Sequence, residues 1–245
     1  MSAPARDNRA PRVGTAGWAI RKAHGDHFPG SGSHLERYAR RFNAVEINSS
    51  FYRPHRRGTY ERWAASVPDD FSFAVKIPKE ITHTRRLSDT ASPLDAFLDQ
   101  VVGLGAKLGV LLVQLPPKLE FERRFADTFL GTFRACFAGN IALEPRHASW
   151  FSPAAEELLI DHWTARVAAD PAVLPEASEP GGWPDIRYFR LHGSPRMYYS
   201  RYEAGRIAAY AERIRAAGPS AWCIFDNTAD AAATENALEL SALLA

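Results

Sequence analysis

Polar residues end a series of short apolar runs in this sequence, and the spacing that leads to them is what bears on chemistry. Ala142 precedes Glu144, Ala74 precedes Lys76, Leu112 precedes Gln114, and Ala168 precedes Asp170. Residues two apart in a strand share a face, so each pair places a polar group above a small or apolar one. Glu46 with Asn48, Arg190 with His192, and Asp226 end three further runs, and Trp18 ends another. Glu46 states the problem most sharply. It sits inside Val45-Glu46-Ile47, and a carboxylate within an apolar strand is costly unless it is paired or put to use.

If these ends meet, Glu46, Glu144, Asp170 and Asp226 converge with Lys76, Arg146, Arg190 and His192. Glu144 or Glu46 would serve as general base and His192 or His83 as general acid, with the cations stabilising developing negative charge. That set suits hydrolysis of a phosphodiester or sugar phosphate, nucleic acid included. Lys76 with a carboxylate suits an isomerase or lyase on a small sugar-like substrate, through proton transfer or a Schiff base. A divalent metal on some of Glu46, Glu144, Asp170, His192 and Asp226 is an alternative use of the carboxylates, contested by the cations. A binding module without turnover is the third class. A ring of structural ion pairs would produce the same residue list.

The segments after these runs are basic and aromatic: Arg53-Pro54-His55-Arg56-Arg57, then 79–86, then Ser194-Pro195-Arg196-Met197-Tyr198-Tyr199. With Trp18, Tyr52 and Trp150 beside them, they suit an anionic partner, a small molecule or nucleic acid with a flat or sugar face. Asn48, Tyr52, Arg53, Gln114, Arg146, His147, Arg190, Tyr198 and Asp226 are the expected binding residues, with Trp18. Pro145 directs Arg146 and His147 to the rim. His83 and His147, beside carboxylates, are of the type that moves protons near neutral pH.

The elements that must position these residues alternate. Strands are expected at 12–18, 45–48, 71–77, 108–115, 141–144, 165–169, 186–191 and 221–225. Helices are expected at 33–42, 59–67, 92–105, 121–137, 152–163, 203–217 and 229–244. Ser33 and Glu36 form a capping-box pair before the first helix, and Pro68 closes the second. Residues 171–185, rich in Pro, Gly and Glu, give an irregular crossover between strands 6 and 7. Eight strands alternating with helices is the pattern of a (β/α)8 TIM barrel, whose sites lie at the C-terminal strand ends. Gly14-Thr15-Ala16-Gly17 lacks the dinucleotide fingerprint that an open doubly wound sheet would want.

The chain has 245 residues, 46% hydrophobic and 24% charged, with a formal net charge of +2. That composition fits one α/β domain over 12–245 and excludes a dedicated nucleic-acid coat. Cys136 and Cys223 lack metal spacing. No apolar run is long enough to span a membrane, and residues 1–11 read as a loose tail on a cytoplasmic protein.

Val45 to Arg53 (VEINSSFYR), Phe71 to Pro78 (FSFAVKIP), Ile81-Thr82-His83, Leu108 to Pro117 (LGVLLVQLPP), Glu144 to Trp150 (EPRHASW) and Tyr188 to Gly193 (YFRLHG) together resemble the domain of unknown function 72 family, the YecE-like proteins. The resemblance runs from Val13 onward. It implies a TIM-barrel fold and a site at Glu46, Asn48, Lys76, His83, Gln114, Glu144, Arg146, His147, Arg190 and His192, with no assigned reaction. The chain departs from the family pattern at Pro145, usually Phe, at Asp226-Asn227, commonly Asn-Asn, and in a first loop poorer in Trp and Tyr.

Overall fold

Parallel strands alternate with α-helices along the chain in a computed structural model that describes residues 10–245. The expected tail therefore lies, but for Ala10 and Pro11, outside the described residues. Around the barrel run β1 (Arg12–Thr15), β2 (Ala44–Ile47), β3 (Ser72–Lys76), β4 (Leu108–Gln114) and β5 (Asn140–Glu144). A split sixth strand follows as β6 (Thr164–Arg166) and β7 (Ala168–Asp170). A two-residue strand, β8 (Gly181–Gly182), pairs antiparallel with β6, and β9 (Arg187–Leu191) and β10 (Ala221–Phe225) complete the set. The helices are α1 (His34–Tyr38), α2 (Arg57–Ala65), α3 (Ala91–Val101), α4 (Arg123–Cys136), α5 (Pro153–Asp161), α6 (Ala204–Ala217) and α7 (Ala232–Leu244). This is the (β/α)8 barrel. As expected, the crossover after the sixth strand carries only a 3-10 turn, Pro175–Ser178, and β8.

Local chemistry explains several boundaries. Ser33 caps α1, accepting from the Glu36 N–H while the Glu36 carboxylate accepts from the Ser33 N–H. Ser152 caps α5 with Pro153 in its first turn, where a missing N–H costs nothing. Both helices are shorter than periodicity suggests. The turn after β3 is a π-helical segment, Glu80–Thr84, that the spacing does not foretell.

The barrel interior is filled unevenly. Ala44, Ala74, Ala142 and Ala165 face inward, and the large Tyr188 and Trp222 rings fill the space these small residues leave, stacked with centroids 6.0 Å apart. Trp222 reaches across to β4, where a Cβ on Gly109 would lie 2.5 Å from its ring. On the outer face, Val45, Ile47, Phe73, Val75, Leu111, Val113 and Leu143 join the helix layer in the larger core. Close packing on both faces makes this barrel a filled scaffold, not a pore.

The sixth strand corrects one sequence expectation. Arg166 ends its first half, and the Val167 N–H donates to Leu143 O at 2.9 Å before the second half turns to pair with β9. Ala165 and Val167 face the interior, so Ala168 belongs to the outer core and Asp170 shares its outward face. The Asp170 carboxylate meets Arg206 at 2.7 Å and the Tyr210 hydroxyl at 2.6 Å, both on α6. It does not converge with the other strand ends, and so leaves the set of metal candidates.

The seam between β1 and β2 has an isolated bridge, Ala16 to Glu46, in place of a ladder. Side chains supply the missing rungs. Tyr38 accepts from the Thr15 N–H at 2.8 Å and donates to Ala44 O at 3.1 Å. Asn43 accepts from the Val13 N–H and donates to Pro11 O, both at 2.9 Å. Burial pushes the Tyr38 phenol well above its ordinary range, so it stays a donor. Tyr38→Phe strands a buried N–H and a buried carbonyl. The expected loss is about 1–3 kcal/mol of unfolding free energy in a urea titration; a loss below about 0.5 kcal/mol would show that the hydroxyl does not hold the seam.

Candidate functional site

The mouth at the C-terminal ends of the strands is organised from the floor upward. Glu46 of β2, Glu144 of β5, Arg190 of β9 and His192 just past it are fully buried. The Arg190 guanidinium is their hub. Its Nη2 donates to Glu46 Oε1 at 2.8 Å, its Nη1 to Glu144 Oε2 at 3.1 Å, and Nη2 also lies 2.9 Å from Asp226 Oδ2. Burial alone would lower the Arg190 pKa, but Asp226, Glu46 and Glu144 outweigh it and hold the group charged. Desolvating that many charges is repaid only by near-complete pairing.

Glu144 is saturated. It accepts from Gln114 Nε2 at 3.1 Å and from Arg190, and its Oε1 lies 3.0 Å from Arg146 Nε and 2.9 Å from His192 Nε2. Burial raises its pKa, yet His192, Arg146 and Arg190 pull it well below the ordinary value of 4.5. Asp226 is likewise raised by burial and pulled below 3.8 by Arg190 and His192. His192 stands between the two, with Nδ1 3.1 Å from Asp226 Oδ2.

Lys76, at the end of β3, is the exception. Its side chain is 6% exposed, and its Nζ makes no ion pair or hydrogen bond with another described residue. It lies instead over the Phe51 ring, 4.0 Å from the centroid. Burial first, then repulsion from Arg190, lowers its pKa to about 8, although Glu46, Glu144 and Asp226 oppose the shift. The result is an amine that is partly unprotonated near neutral pH.

Two other groups face the same space. His83 sits in the π-helical turn, packed edge-on against Phe51 with centroids 5.0 Å apart. Its Nδ1 bonds Thr82 Oγ1 at 2.8 Å, leaving Nε2 toward other partners. Burial first, then the Lys76 and Lys79 charges, lowers its pKa below 6.5. Asn48 donates to Asp226 Oδ1 at 3.4 Å, while its own Oδ1 is buried with no partner among the described residues. Such an atom is a vacant acceptor.

Above the floor, Arg146 reaches the Tyr198 hydroxyl at 3.3 Å, and Tyr198 packs edge-on over His192. Tyr52 and Arg53 stand on the outer rim, Tyr52 77% exposed. Trp18 packs against Trp63 of α2 with centroids 5.0 Å apart and sits apart from the carboxylates. His147 does not join the mouth. It turns to Ser149 at 2.9 Å and lies 4.0 Å from Glu120, where it accepts from the Ser149 N–H and caps the turn Ala148–Phe151. Arg190, expected to meet substrate, is covered and spent on carboxylates.

Among the described residues no group of three His, Cys, Asp or Glu is placed to hold a metal ion. The oxygens of Glu46, Glu144 and Asp226 face guanidinium and imidazole nitrogens, so the donor set does not fit a divalent cation. No described helix is long and apolar enough to cross a membrane.

Tyr188 is the residue that sequence reasoning missed. Its hydroxyl donates to Glu46 Oε2 at 2.9 Å from beneath the floor. The alternation that flags Arg190 and His192 puts Tyr188 on the same face, two residues deeper.

Arg190→Met leaves buried carboxylates without their shared partner and is expected to cost about 3–5 kcal/mol of stability. The wild-type protein carries an acid-sensitive contribution from the same network. Because Glu144 and Asp226 titrate below their ordinary values when folded, their stabilisation is complete above that range. It is lost as pH falls through the folded values. Denaturation curves between neutral pH and about pH 3 should show a shallower acid decline in Arg190→Met than in wild type; parallel declines would contradict the assignment.

The chain matches the family model described as "Protein of unknown function DUF72" over residues 12–245. It is 32% identical over 128 residues to the UPF0759 protein YecE of Escherichia coli K12, covering 50% of this chain and 45% of that protein. Against UPF0759 protein YunF of Bacillus subtilis it is 30% identical over 157 residues, covering 58% and 52%. These matches span about half the length of either relative. In structure it is similar to a DUF72 family protein from Thermotoga maritima, with TM-score 0.79 and 24% identity over 96% of this chain and 99% of that one. A sugar phosphate isomerase/epimerase from Parabacteroides distasonis shares the fold at TM-score 0.52 and 11% identity, covering 99% and 97%. With the family model matched across the whole barrel, the chain belongs to the DUF72 family.

Proposed function

We propose that this barrel is an enzyme of the isomerase or lyase type acting on a small anionic carbonyl compound, with Lys76 as the reactive amine. The observation that carries the reading is the state of Lys76: nearly buried, without an ion pair or hydrogen bond among the described residues, and held at about pKa 8 beside carboxylates bonded to Arg190 and Arg146. Amines depressed by desolvation and a neighbouring cation are the kind that form Schiff bases.

The chemistry balances with the groups at hand. The neutral Lys76 amine adds to the carbonyl carbon and passes a proton to its oxygen; a second proton, taken from solvent, lets that oxygen leave as water and a protonated imine remains. That imine draws electrons from the adjacent carbon–hydrogen or carbon–carbon bond. His83, neutral near pH 7 through its lowered pKa, accepts the released proton at Nε2. His83 gives that proton back to the enamine carbon, and water then hydrolyses the restored protonated imine to the carbonyl product, the free amine and one proton. Asn48 Oδ1 supports a hydroxyl-bearing substrate, because it offers a buried acceptor without a partner. Arg146 and the rim cations support an anionic one.

Hydrolysis of a phosphodiester or sugar phosphate would use Glu46 or Glu144 as general base. Both are buried and already bonded, Glu46 to Arg190 and Tyr188 and Glu144 to Arg190 and Arg146, which leaves little room for a substrate proton and favours the amine. The anion-holding rim serves either reaction.

Sodium borohydride reduces an imine to a stable secondary amine. Incubation with a panel of phosphorylated aldoses and ketoses, followed by borohydride, should add mass at Lys76 and none in Lys76→Arg. For a turned-over substrate, kcat/KM should rise with pH and level off above about 8, as the amine loses its proton. Absence of an adduct across the panel, or turnover surviving Lys76→Arg, would remove the amine from the reaction.

A further inference from the structure

Phe51 carries the Lys76 amine over its ring and is also a wall of a cleft of about 490 Å³ that neither Lys76 nor His83 lines. The cleft lies between the loop after β2, the turn after β3 and α3, with Tyr52, Arg53, Pro78, Lys79 and Phe97 among its walls. Its composition is selective. Phe97, Pro54, Pro78 and Pro93 give apolar surfaces, while Tyr52 meets Phe51 in a T-shaped contact and is largely exposed. Arg53 and Lys79 are exposed and form no ion pair with another described residue. The cleft's own carboxylate, Glu80, is bound by Arg85 at 2.9 Å and so does not oppose them.

We infer that this cleft is a second binding site, for a flat aromatic ring that carries an anionic group. The ring would lie against Tyr52 and the proline faces, where an aromatic face offers stacking energy. The anion would sit between Arg53 and Lys79, which have no carboxylate partner among the described residues. Because Phe51 walls both spaces, a ligand with its ring in the cleft can extend over Phe51 to the amine. That link makes the substrate a two-part molecule and rests on the Lys76 reading; the cleft site itself does not.

Phenyl phosphate is the probe, with inorganic phosphate and phenol as its separate halves. Binding is read by calorimetry and by ligand-observed NMR on the full chain. Phenyl phosphate should bind at least about tenfold more tightly than inorganic phosphate or phenol, since each half lacks one set of contacts. Tyr52→Ala should weaken it about fivefold or more, and Arg53→Ser with Lys79→Ser should weaken it similarly. All three residues are exposed, so circular dichroism should remain that of wild type. Lys76→Met should leave the affinity unchanged, which separates this site from the proposed reaction. Equal affinity for inorganic phosphate, indifference to Tyr52→Ala, or loss of binding in Lys76→Met alone would each overturn the cleft assignment, as would no binding at millimolar ligand.

Discussion

The guanidinium of Arg190 is the constraint on which the mouth of this barrel depends. It reaches carboxylates from three separate strand ends, Glu46, Glu144 and Asp226, in a place without water to screen them. A planar fork with several donors can do this, and a lysine could not. The surrounding groups complete what Arg190 begins: Tyr188 beneath Glu46, Gln114 and Arg146 on Glu144, and His192 bridging to Asp226. Each bond fixes a strand end relative to another, so the network both closes the barrel top and sets the site's dimensions.

Pairing so complete has a chemical consequence. Carboxylates already bonded to guanidinium, imidazole and phenol groups have few lone pairs left for a substrate or a metal, and in the proposed reaction the working group is the one outside these pairs. Lys76 is that group. The positive hub beside it and its own burial both disfavour its protonation, while Phe51 gives its ammonium form a weak aromatic partner in place of a counter-ion. Under the proposed reaction, structural ion pairs and a reactive amine are two results of one arrangement, and the ring of charges need not be read as either stability or function alone.

Much of this was legible in the chain. Period-two alternation ending in a polar residue located Glu46, Lys76, Gln114, Glu144, Arg190 and His192, because a filled barrel leaves strand-end positions as the place where inward polar groups can gather. Asp170 fails the same test because the sixth strand breaks at Val167 and turns its second half to a new neighbour. Ala168 gave no warning, since alanine suits either face. His147 was misplaced because a turn cap and a rim histidine read alike in sequence. Tyr38 in the β1–β2 seam, and the π-helical turn that carries His83, depend on partners far along the chain and leave no local pattern.

The paired floor leaves Lys76 as an amine that loses its proton well below the ordinary lysine range. Isotope-edited NMR of the lysine side chains, with Lys76→Arg to assign the resonance, follows its titration directly. A midpoint near 8 is expected, moving upward when Phe51 is replaced by a smaller residue that admits water to the amine. A midpoint at the ordinary lysine value of about 10.4 would show that the floor does not tune the amine and would contradict the account.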